Sequence, residues 1–120
     1  MKLYKEQLLT SLSNSGWELV EIDDFTDWWA EEHWRIASRK HQWGLELWLS
    51  YLVDPSYDGS DKSSAVWAVH AATSKPDSRP VSSGNEIATM YLSKGHYREE
   101  MHRFVEQIDG YRDDLGQGGP

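Results

Sequence analysis

The stretch Trp43-Gly-Leu-Glu-Leu-Trp-Leu-Ser-Tyr51 constrains this chain more than any other part of it. Side chains alternate across a strand, so Trp43, Leu45, Leu47, Leu49 and Tyr51 share one face. Gly44, Glu46, Trp48 and Ser50 share the other. Five large apolar groups in register predict the central, well-covered strand of a sheet.

The remaining elements are read around that strand. Tyr4, Leu8, Leu9 and Leu12 form one stripe of an amphipathic helix over residues 3–13, which Ser13-Asn-Ser-Gly16 brings to a stop. Trp17–Ile22 is a first strand, with Trp17 and Leu19 on one face and Val20 and Ile22 on the other, so both faces want cover. His33–Arg39 is a second strand, setting Trp34, Ile36 and Ser38 against His33, Arg35 and Ala37, and Lys40-His-Gln42 suits a hairpin connection. After a polar loop over residues 54–64, Ala65–Ala72 is a fourth strand, with Trp67, Val69 and Ala71 on one side. Residues 74–85 form a second loop, and Ile87–Leu92 is read as a fifth strand in preference to a helical approach. Tyr97, Met101, Phe104, Val105 and Ile108 mark the core stripe of a last helix, with Ser93 as N-cap and Gly110 as stop.

The predicted fold is α+β: an antiparallel meander of four to five strands, flanked by an N-terminal and a C-terminal helix packed on one face. Residues 1–112 form one domain and residues 113–120 a disordered tail. Two helices hide one face of such a sheet, which leaves Trp48, Leu52 and one of the Trp67 or Val66 sets exposed. Either the Phe25–Trp29 connection folds over them or a partner does, most simply a second copy.

Composition excludes several function classes. Twenty acidic against twelve basic residues give a net charge of −8, which disfavours nucleic acid and anionic membranes as partners. No stretch approaches the ~20 apolar residues of a membrane span. The first residues carry Glu6 and lack the continuous apolar run of a signal peptide. The absence of cysteine removes disulfides, thiolate zinc sites and cysteine nucleophiles, and fits a reducing cytoplasm.

Motifs of catalysis are weak. Glu99-x-x-His102 is a single carboxylate–imidazole pair where a di-iron bundle needs two and further glutamates. Asp54, Asp58, Gly59 and Asp61 resemble part of a calcium loop but lack its closing glutamate. His33 and His70 lie on strands, where hydrogen-bonded, half-buried roles explain them. There is no phosphate-binding glycine loop and no Gly-x-Ser-x-Gly elbow. No catalytic residue, metal ligand or cofactor is assigned, and the reading favours binding over catalysis.

The functional signal is aromatic and acidic. Seven tryptophans occur in 120 residues, and Trp17, Trp34 and Trp43 fall on core faces. Between Glu18 and Glu32 there are seven carboxylates and no cation, with Phe25, Trp28 and Trp29 among them. Thr26 or Asp27 suits the cap of a short helical turn there. The expected binding surface joins Phe25, Trp28, Trp29 and Trp48 to Asp23, Asp24, Asp27, Glu31 and Glu32, facing a protein partner or a second copy. The alternative is a small-molecule or carbohydrate binder using tryptophan platforms on the open sheet face.

Overall fold

The computed structural model describes residues 2–39, 45–77, 79, 86–92 and 97–117. The chain runs α1 (Leu3–Asn14), β1 (Trp17–Asp23), β2 (Ala30–Ser38), β3 (Glu46–Val53), β4 (Val66–Ala72), β5 (Glu86–Tyr91) and α2 (Tyr97–Gln117). A short 3-10 turn, Lys62–Ala65, precedes β4. The five strands pair antiparallel in chain order, so the sheet is the predicted meander and Glu86–Tyr91 is a strand. Trp43, the hairpin connection at residues 40–42 and the proposed cap Ser93 lie outside the described residues.

One face of the sheet packs under both helices. Trp17, Trp34, Ile36, Leu47, Leu49, Tyr51, Val69 and Met90 meet Leu8 and Leu12 of α1 and Met101, Phe104, Val105 and Ile108 of α2 in one core. Gly16, with φ of 90°, makes the turn from α1 into β1 in a backbone region that other residues avoid.

Bulges decide which side chains reach which face. Leu19 pairs with Ile36 but Glu21 pairs with Arg35, so Val20 is an extra residue in β1. Ile22 is thereby returned to the face of its partner Trp34, and β1 does not present apolar groups to both sides as simple alternation predicts. In β4, Ala68 pairs with Leu52 and Val66 with Val53, leaving Trp67 as the extra residue. Trp67 consequently lines the outer face with Ala68 and His70, not the core face with Val69 and Ala71.

The last helix also departs from expectation. It passes through Gly110 and continues to Gln117, so the predicted stop at Gly110 is absent and residues 113–117 extend the helix. Its core stripe continues one turn past Ile108, but with an arginine. Arg112 is 1% exposed, donates from Nη1 to the Ser15 carbonyl at 2.7 Å and lies 5.0 Å from the Trp17 ring. Trp17 Nε1 donates to Asp109 Oδ1 at 2.8 Å, which completes the lock between α2 and the α1–β1 turn. At a rise of ~1.5 Å per residue, α2 is about 30 Å long. Five strands at ~4.8 Å spacing span only about 19 Å, so this helix reaches from β5 across the sheet to β1.

Gly110 tests this continuation. A methyl group there would meet nothing within 4 Å, and helical glycine costs about 0.5–1 kcal/mol relative to alanine. Gly110→Ala is expected to raise the unfolding free energy measured in urea by that margin, seen as a higher midpoint at unchanged slope. Were Gly110 a left-handed helix terminus, the same change would lower it.

Candidate functional site

The acidic segment is held by three lysines from distant parts of the chain. Lys5 of α1, only 4% exposed, binds the carboxylates of Glu31 and of Glu32, the latter at 2.6 Å, and sits 4.5 Å from the Tyr51 ring. A bulge explains how two consecutive glutamates reach one lysine. Ala30 pairs with Leu52 and His33 with Ser50, so β2 carries one residue too many between them. Glu32 also accepts from Trp34 Nε1 at 2.9 Å. Burial, with these carboxylates nearby, pushes the Tyr4 and Tyr51 hydroxyls up, and both remain protonated.

Lys62 reaches back over the β1–β2 connection. Its ammonium donates to Thr26 Oγ1 and the Asp27 carbonyl at 3.0 Å each, to the Ala30 carbonyl at 3.2 Å and to the Thr26 carbonyl at 3.4 Å. The Asp23 carboxylate accepts from the Phe25 amide, and the Asp27 carbonyl from the Ala30 amide. Residues 24–29 are therefore a pinned turn, and the helical turn expected at Thr26 or Asp27 does not form.

Lys75 completes the set. It pairs with Asp23 and lies 5.5 Å from the Trp48 ring, so residues 73–77 cross the outer face of the sheet from β4 to β1. The side-chain hydrogen bond from Lys75 holds the Asp23 carboxyl below the usual carboxylate range.

The nine residues expected to form one binding surface are thus divided. Phe25 is 94% exposed and Trp28 59%, with Asp24 and Asp27 exposed beside them. Trp29 turns inward, 5% exposed, with its ring 5.4 Å from His33 on the outer sheet face. Trp48 is half-buried beneath Lys75, to which Asp23 is committed. Glu31 and Glu32 belong to Lys5 on the helical side. Phe25, Trp28, Asp24 and Asp27 remain exposed on the turn; the other five serve other contacts.

Beneath Trp29 the outer face is concave. A hollow of about 210 Å³ is lined by Trp29, Trp67, Tyr91, Ala68 and His70, with Arg79, Glu86 and Thr89. The Trp67 and Tyr91 rings are 5.5 Å apart and inclined by 34°. His70 is 4% exposed. Trp67 is missed by alternation because a bulge moves it. Lys62, Lys75, Arg79 and Glu86 carry no local signal of their contacts.

The other chemical candidates resolve into structural roles. His33 Nδ1 lies 2.8 Å from Ser50 Oγ with Asp23 nearby, yet Ser50 is fully buried and its hydroxyl is beyond the reach of a substrate. His102 pairs with exposed Glu106 at 2.9 Å. Asp54 and Asp61 accept from Ser56 and Ser63, as turn-capping aspartates do. Among the described residues no group of three or more His, Asp or Glu is placed to hold a metal ion, and no helix is long and apolar enough to cross a membrane.

Comparison with protein-family models, with curated proteins and with solved structures finds no match to this chain.

Both outer-face histidines set a pH dependence. Burial pushes His33 and His70 below the ordinary histidine range; Lys75 adds to the effect at His33, Asp23 opposes it there, and Glu86 opposes it at His70. The unfolded chain takes up these protons near pH ~6.5, the folded chain only at lower pH. Their contribution to stability is complete above that value and is lost as pH falls from there through the folded pKa values. The urea midpoint is expected to drop between about pH 7.5 and pH 5.5, and to drop less in a His33→Gln/His70→Gln double variant. An equal drop in both proteins would show that other groups carry the dependence.

Proposed function

We propose that this chain is a protein-binding module that docks a basic partner through the β1–β2 connection. The observation that carries this reading is the exposure of Phe25 and Trp28, with Asp24 and Asp27, on one turn that Lys62 pins. Aromatic side chains ringed by charge are the usual anchors of protein interfaces, and a turn already held in place loses little entropy on docking. The net charge of −8 steers a cationic surface toward the site and opposes self-association through it, which favours a different partner over a second copy. With no cysteine to protect or oxidise, the chain suits a reducing cytoplasm, and we assign it there.

A peptide library displayed on phage tests this reading. Sequences selected on the wild-type chain are expected to combine Lys or Arg with apolar residues and to weaken as salt is raised. Phe25→Ala/Trp28→Ala should keep the fold, because both side chains face solvent, and bind those peptides at least ~30-fold more weakly, equivalent to about 2 kcal/mol. Lys62→Ala, which touches no partner, should weaken them less by loosening the turn. Selected peptides that bind the double variant as tightly as wild type would refute the site, as would unfolding of that variant.

A further inference from the structure

We propose that the Trp29 indole is an acid-released lid: it closes over two buried histidines of the outer sheet face and swings away when they take up protons. The register of the sheet sets the arrangement. Asp23 stands opposite His33, His33 opposite Ser50, Ser50 opposite His70 and His70 opposite Thr89, so one polar residue from each strand lies in a single row across all five. The three middle members are buried, although the row lies on the face away from the helical core.

Trp29 is what shuts them in. Its ring meets the His33 ring edge to face, with centroids 5.4 Å apart and planes inclined by 68°. It lines the cleft beside His33 and Lys75 on one side and the hollow beside His70 on the other. The backbone beneath the ring is fixed, since the Trp29 carbonyl accepts from the Val53 amide at 2.9 Å and Lys62 holds the Ala30 carbonyl. Release is therefore a rotation of the side chain that leaves the sheet and the turn in place.

The charges around the row are already engaged. Asp23 is held by Lys75, whose own ammonium lies near His33. Glu86, the carboxylate on the His70 side, accepts from Thr89, and Arg79 lines the same hollow. Arg35, the next outward residue of β2, is paired with Glu21 and Glu46. Asp27 and Asp77 border the cleft at His33 but stand in solvent. Ser50 Oγ, 2.8 Å from His33 Nδ1, can accept a hydrogen bond from a protonated ring but cannot neutralise its charge. A cationic imidazole in this row therefore costs more with the lid shut than with the ring in water, so each proton bound favours the open form. Burial holds both histidines below their ordinary range, which has the same sign. The lid is closed above the ordinary histidine value of ~6.5 and opens as pH falls below it, the two protons acting together.

The test follows the chain labelled with 5-fluorotryptophan from about pH 7.5 to about pH 4.5, reading how strongly a soluble paramagnetic agent broadens each 19F signal. Broadening of the Trp29 signal is expected to rise at least ~3-fold at the acid end, while Trp17 and Trp34 of the helical core stay protected. His33→Gln/His70→Gln should abolish the rise. Either single change should make it shallower, lowering the Hill slope from about two to about one as one proton is removed from the transition. If the double variant does not fold at neutral pH, seen as loss of Trp17 protection, the two single variants decide. Phe25→Ala/Trp28→Ala should leave the transition unaltered, which separates the lid from the protein-binding turn. The proposal fails if Trp29 stays protected throughout, or if it opens only together with Trp17 and Trp34, which is global unfolding. It fails equally if the histidine variants open at the wild-type pH with the wild-type steepness.

Discussion

A five-stranded antiparallel sheet has two faces, and two helices can hide only one of them. How the second face is closed determines everything else about this molecule. The helical face is an ordinary core, with Leu8, Trp17, Trp34, Leu49, Tyr51 and Phe104 at its centre. The opposite face is closed from within the chain. Trp29 folds down from the β1–β2 turn, and residues 73–77 cross from β4 to tie Lys75 to Asp23 over Trp48. Bulges make this possible. An extra residue in β1 returns Ile22 to the helical side, and another in β4 sends Trp67 to the outer side.

The acidic segment is the electrostatic counterpart of that arrangement. Seven carboxylates between Glu18 and Glu32, without a cation among them, would repel one another in isolation. Lys5, Lys62 and Lys75 arrive from three other places and divide the segment by role. Lys5 takes Glu31 and Glu32 into the helical side, Lys75 takes Asp23 onto the outer face, and Lys62 holds the turn by its carbonyls. Removing Lys5 would strand two partly buried carboxylates, a far larger loss than breaking a surface pair. Of the other four carboxylates, Glu21 pairs with Arg35 and Glu18 is exposed on β1, which leaves Asp24 and Asp27 exposed on the turn with Phe25 and Trp28.

Period and composition were enough to read the order of elements, because each strand and helix writes its burial into local spacing. The alternation from Leu45 to Tyr51 and the stripe from Tyr97 to Ile108 both appear in the structure as read. Illegible features share one property: each depends on a partner far along the chain. Whether Val20 or Trp67 is an extra residue depends on the neighbouring strand's register, not on β1 or β4 alone. The end of α2 was hidden for a related reason. Its next core position holds Arg112, a residue that reads as solvent-facing until the Ser15 carbonyl and the Trp17 ring are brought to it. Exposure on the β1–β2 turn was legible only in part. Phe25 and Trp28 among carboxylates read as solvent-facing and are so, but no local pattern distinguishes Trp28, which faces out, from Trp29, which faces in.

That distinction between adjacent indoles is the most direct measure of the whole account. The chain labelled with 5-fluorotryptophan gives one 19F signal per indole, and a soluble paramagnetic agent broadens each according to its access to solvent. The Trp28 signal should broaden strongly, while Trp29 should be as protected as Trp17 and Trp34. Equal broadening of Trp28 and Trp29 would mean that the outer face stands open, and the closure described here would be contradicted.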